Sequence, residues 1–147
     1  MSQEHEIIDP EKSALQRIQQ AAPFNETEAR SFLHYFLFAD DDPLRPASNL
    51  SYGERARLML AILVAQGCNF LILDEPINHL DIPSRTQFEE ALANFGGTAL
   101  AVVHDRYFIQ GFASRIWAVE GERVREYLEL ADVNPPKGSQ PRGGSAE

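Results

Sequence analysis

Apolar residues recur at helical spacing through the first third of the chain. Leu15, Ile18 and Ala22 mark one helix, with Asp9 as its expected N-cap and Pro10 at its first position. A second helix is expected from about Asn25, because Asn25-Glu26-Thr27-Glu28 joins a capping side chain to acidic first-turn residues. Its apolar positions are Ala29, Phe32, Leu33, Phe36 and Leu37. The run Asp40-Asp41-Asp42-Pro43 should end it, since the residue before proline avoids helical geometry. The aromatic cluster Phe32, Tyr35, Phe36 and Phe38 is expected to pack in the core.

From residue 50 the pattern alternates. Residues 51–66 read as a helix closed by Gly67. Residues 69–73 form a short apolar run suited to a buried strand. A helix over 83–94, a second buried strand over 98–103 and a short helix over 105–112 follow. Residues 115–119 and 123–127 flank Gly121 as a terminal hairpin. Strands joined by helices predict an α/β domain with a parallel sheet. Residues 134–147 are rich in Pro, Gly, Ser and Gln and read as disordered.

Composition narrows the function classes. The chain has 147 residues, 44% apolar, enough for one domain with a real core. Its formal net charge of -9, with Lys12 and Lys137 the only lysines, argues against a general nucleic-acid-binding surface. Cys68 stands alone, so the chain can form no intramolecular disulfide and no cysteine zinc site of its own. No apolar stretch approaches the ~20 residues of a membrane span. The polar start Met1-Ser2-Gln3-Glu4-His5 is unlike a signal peptide. A cytoplasmic protein without membrane insertion is expected.

Three short strings carry chemistry. Leu50-Ser51-Tyr52-Gly53-Glu54 contains an S-x-x-E capping box. The same helix start could bind phosphate through free N–H groups and the Ser51 hydroxyl, with Gly53 permitting a close approach. Leu71-Ile72-Leu73-Asp74-Glu75 ends an apolar strand in two carboxylates. Ligands of open α/β sheets sit beyond such strand ends, so Asp74 could hold Mg²⁺ and Glu75 could polarise a water. His104 ends the next strand, and Asp105 could simply cap the following helix.

Together the strings resemble ABC ATPases. Leu50 to Glu54 match the signature motif, Leu71 to Glu75 the Walker B strand with its catalytic glutamate, Leu80-Asp81 the D-loop and His104 the switch histidine. The run Asp74-Glu75-Pro76-Ile77-Asn78-His79-Leu80-Asp81 is most similar to the ABC-F subfamily, whose usual form has threonine where this chain has Ile77. Ser2-Gln3-Glu4-His5 resembles the Q-loop, with Gln3 approaching Mg²⁺.

The resemblance implies a partial P-loop NTPase domain. Residues 1–49 would be Q-loop and helical subdomain, 50–130 the signature, Walker B, D-loop and switch part of the core, and 131–147 a disordered tail. It also implies ATP as substrate and Mg²⁺ as cofactor. Gln3 and Asp74 would serve the metal, Glu75 the attacking water and His104 the γ-phosphate. Ser51, Gly53, Glu54 and Asp81 would meet nucleotide across a domain pair. ABC-F proteins are soluble, and many act on the ribosome as translation or antibiotic-protection factors.

A Walker A loop needs glycines before a Lys-Ser or Lys-Thr pair. The only such pair is Lys12-Ser13, and the first glycine is Gly53. The chain therefore carries no Walker A motif. An open sheet edge is expected, and with it instability, self-association or dependence on a Walker A-bearing domain. Two other readings share the sequence: an incompetent fragment acting as an interaction module, and a transporter ATPase subunit, which the Asn78-His79-Leu80-Asp81 run disfavours.

Overall fold

A computed structural model describes residues 9–133. Gln3, the expected Q-loop residue, and residues 134–147 of the expected tail lie outside the described residues. Contacts divide the chain after Val103 into two compact units.

The first unit opens with two short helices, α1 (Ala14–Ala21) and α2 (Glu26–His34). The expected start of α1 at Pro10 is not realised. Asp9 instead closes a turn, its carbonyl accepting from the Lys12 N–H and its carboxylate from the Glu11 N–H. The helix begins four residues later, where Ser13 and Gln16 form a reciprocal capping box. α2 starts as expected, with Asn25 and Glu28 forming the same device.

α2 stops well before Pro43. Phe38 N–H donates to the Leu33 carbonyl and Leu37 N–H to that of His34, which is a Schellman closure. Leu37 takes the left-handed place there, at φ 63°, where glycine is usual. The chain reversal buries Phe36 and Phe38 and stacks Phe24, Phe32 and Phe36 in sequence at 5.3 and 5.1 Å. Tyr35 departs from the expected aromatic core and is 63% exposed.

α3 (Tyr52–Ala65) is capped by Ser51 and ends at Gly67, whose φ of 84° suits the left-handed closing position. α1 packs on both α2 and α3 through Ala14, Ile18, Ala29, Leu33 and Leu58, all completely buried. β1 (Phe70–Asp74), α4 (Ile82–Ala93) and β2 (Thr98–Val102) complete the unit. β1 and β2 pair in parallel, Phe70 opposite Thr98 through Asp74 opposite Val102.

The two strands are not buried on both faces. Leu71 is 3% exposed, but its neighbour Ile72 is 71% exposed. Phe70, Leu100 and Val102 share that open face. Continuous apolar runs such as these suit strands covered on both sides. Within the first unit nothing among the described residues covers the second side.

The second unit holds α5 (Arg106–Phe112), β3 (Ile116–Glu120), β4 (Arg123–Tyr127) and α6 (Leu130–Val133). Asp105 caps α5, accepting from the N–H groups of Tyr107 and Phe108. β3 and β4 form the expected antiparallel hairpin, with Glu120 opposite Arg123. Residues 131–133, assigned above to the tail, belong to α6, which touches α5 and β4.

Candidate functional site

The site is built where two helix starts meet the end of a strand. At the start of α3, Ser51 and Glu54 satisfy each other. Glu54 N–H donates to Ser51 Oγ at 3.2 Å, and Ser51 N–H donates to Glu54 Oε2 at 2.7 Å. Arg45 adds a second hold, donating to Glu54 Oε1 while pairing with Asp42 at 3.0 Å. Burial pushes the Glu54 carboxyl up, but the bonds from Ser51 and Arg45 outweigh it and hold it below the ordinary glutamate value.

Gly53 is buried. A Cβ there would lie 2.6 Å from Ser84 Cβ and 2.7 Å from Ser84 Oγ. The close approach that this glycine permits is therefore made by the first turn of α4. Arg57, one turn further along α3, is 4% exposed. Its guanidinium donates to Gln87 Oε1 and lies 5.6 Å from the centre of the Phe38 ring.

Asp74 and Glu75 close β1. Asp74 is exposed. Glu75 N–H donates to the Val102 carbonyl at 2.9 Å, so it continues the ladder while its backbone turns to φ 46°. The chain then makes a tight excursion. Asn78 N–H donates to the Glu75 carbonyl and Leu80 N–H to that of Ile77. His79 also takes a positive φ, of 65°.

Ile77 and Leu80, 2% and 6% exposed, pin this excursion to the core. That gives Ile77 a packing role at the position where ABC-F sequences usually have threonine. Asp81 caps α4, accepting from Ser84 N–H at 3.1 Å. The Ser84 bonds hold its carboxyl below the ordinary aspartate value.

These pieces converge. The Tyr52 and His79 rings meet edge to face at 6.4 Å. A groove of about 510 Å³ runs between α3 and β1, lined by Tyr52, Met59, Leu63, Ile72, Asp74 and Pro76 among others. Ser51, Gly53, Glu54, Asp74, Glu75 and Asp81 all belong to the first unit. His104 is the first residue of the second unit, two positions beyond β2, and is exposed.

The donor set for a metal is sparse. Among the described residues no three His, Cys, Asp or Glu side chains gather as a cage. A lone strand-end carboxylate such as Asp74 suits Mg²⁺, which keeps its waters and binds with substrate phosphates. No described helix is long and apolar enough to cross a membrane.

Sequence reasoning missed Arg45, Arg57, Ser84 and Gln87. Arg57 had a readable signal: it lies four residues after Gly53 and four before the fully buried Ala61, on the inward stripe of α3.

A family model described as ABC transporter matches residues 1–78. The Bacillus subtilis protein YdiF is 52% identical over 103 residues, 70% of this chain and 16% of that protein. ABC transporter F family member 5 of Arabidopsis thaliana is 38% identical, over 83% of this chain and 18% of its own length. The energy-dependent translational throttle protein EttA of Mycobacterium tuberculosis is also 38% identical, over 81% and 22%.

The chain thus spans less than a quarter of the length of these relatives. Among solved structures, the ATP-binding cassette MJ0796, a dimer in a post-hydrolysis state bound to ADP and Pi, aligns with a TM-score of 0.64. That alignment has 19% identity and covers 87% of this chain and 60% of the other. The likeness shows the fold: part of a P-loop NTPase α/β domain.

Proposed function

The chain belongs to the ABC transporter family as part of one ATP-binding domain of the ABC-F type, and from that premise we propose that it supplies the hydrolytic half of an ATPase site. The observation that carries this reading is the groove where the start of α3, at Tyr52, meets the end of β1, at Asp74 and Pro76. Glu75 orients and polarises the attacking water. Asp74 would hold the Mg²⁺ that arrives with ATP. The ion, when bound, neutralises charge on the phosphates. By its resemblance to the family's switch histidine, His104 would donate a hydrogen bond to the γ-phosphate. Ser51 acts on nucleotide seated in another domain, and Gly53, whose Cα side is filled by Ser84, acts there through its backbone N–H alone, with Glu54 and Asp81 fixing the two helix starts.

Phosphoryl transfer rests on positioning and charge stabilisation. Without a phosphate cradle this chain needs a Walker A-bearing partner domain, or a second copy, to turn over ATP. Titrating labelled ATP and Mg²⁺ onto the chain alone, and then with such a domain, tests this. Turnover that needs the mixture and falls at least about 10²-fold in Glu75→Gln supports the reading. Undiminished turnover in Glu75→Gln overturns it.

A second reading has its own support. The bare face of β1 and β2 suits an interaction module that stimulates or blocks a partner's hydrolysis without its own chemistry. Partner turnover that changes equally with wild type and Glu75→Gln would favour it. The likeness to a protein named a translational throttle supports a ribosome-linked role in translation. Co-sedimentation of this chain with ribosomes tests it.

A further inference from the structure

The two helices that open on the site are joined to each other at two successive turns. The first join is Gly53 against Ser84, where there is no room for even one methyl group. The second is Arg57 against Gln87, four residues further along α3 and three further along α4. The first join sits at the third residue of α4, whose N–H is held by the Asp81 cap. It also sits two residues beyond the Ser51 cap of α3. Leu80, in the excursion after β1, borders the same spot, 3.6 Å from the position of a Cβ at residue 53.

We infer that Ser84 is a positioning residue: packed against Gly53, it locks the signature helix to the D-loop helix so that the Ser51 and Asp81 caps move as one body. The linkage stands on geometry within this chain. Its consequence for hydrolysis, a fixed spacing between two groups that face nucleotide, rests on the function proposed above. A small side chain is needed on each helix for this lock. Glycine is required on α3, because a Cβ there would clash with both Ser84 Cβ and Ser84 Oγ.

The test is a double-mutant cycle on the whole chain without nucleotide. Gly53→Ala should lower the folding equilibrium constant about tenfold or more when Ser84 is present, and less than about threefold in a Ser84→Gly background. Ser84→Ala retains its Cβ and should not rescue. Carbon-detected NMR titration of the Asp81 carboxyl supplies a second readout. Gly53→Ala should move its pKa up toward the ordinary value, because Ser84 is pushed off the cap.

If Gly53→Ala fails to fold, amide exchange at Gly53 and Glu54 in Ser84→Gly replaces it. Faster exchange than wild type supports the lock, and unchanged exchange overturns it. Equal cost of Gly53→Ala in both backgrounds, or an unmoved Asp81 carboxyl, also overturns it. Because no ATP is present, these outcomes do not depend on whether the chain hydrolyses nucleotide. Failure of the mixing assay would leave the lock standing.

Discussion

Leu71 and Ile72 are adjacent residues of one strand with opposite expected responses to substitution. Leu71 is 3% exposed and Ile72 is 71% exposed. Full burial of such a side chain contributes about 2 kcal/mol. With less than a third of its surface removed from water, Ile72 has about 0.6 kcal/mol at stake. Ile72→Thr keeps the β-branch, so strand preference is little changed. Leu71→Ala removes a packed side chain and should cost about 2–5 kcal/mol.

Urea unfolding of both variants, at two protein concentrations well apart, measures this. The expected result is a small midpoint shift for Ile72→Thr and a large one for Leu71→Ala, both independent of concentration in the dilute samples. A cost above about 1.5 kcal/mol for Ile72→Thr refutes the reasoning. It would mean that the sheet's open face is covered in the isolated chain. A midpoint that rises with concentration in wild type and loses that dependence in Ile72→Thr would identify a second copy as the cover.

Two further perturbations probe the helix junction. Arg57→Ala removes a buried guanidinium bonded to Gln87 and stacked on Phe38, and should cost about 2–4 kcal/mol by urea unfolding. Arg57→Met keeps the stem and removes a group whose Nε has no hydrogen-bond partner among the described residues, so it should cost less than half as much. The Glu54 carboxyl, held below its ordinary value, contributes stability that is present above its unfolded pKa and lost as pH falls through the folded one. Stability should therefore decline below about pH 5, and less steeply in Arg45→Gln, as urea midpoints against pH will show.

The helix caps were the most legible part of the fold. Asn25, Ser51 and Asp105 each precede acidic or apolar periodic residues, and each caps where the sequence placed it. α1 misled because Asp9-Pro10 has the composition of a helix start. The competing Ser13 and Gln16 box won by satisfying two N–H groups at once.

The strand faces were misread for a different reason. A continuous apolar run records the environment a strand is suited to, while its exposure here depends on neighbours these residues do not supply. Of the candidate site, the strings near Ser51, Asp74 and Asp81 were legible because turns and caps are local. The contacts between α3 and α4 were not. They join residues about 30 apart through a glycine and a serine, two residue types that carry almost no pattern signal.

Glu75 has a consequence that bears on how this chain can change. Its φ of 46° places a long acidic side chain where glycine or asparagine would sit at lower energy. Glu75→Gly should therefore leave the fold as stable as wild type, or raise it by up to about 1 kcal/mol, as thermal unfolding will report. The backbone conformation alone gives no reason for glutamate at this spot. The position sets stability against chemistry, and a lineage released from hydrolysis could abandon the carboxylate with a gain in robustness.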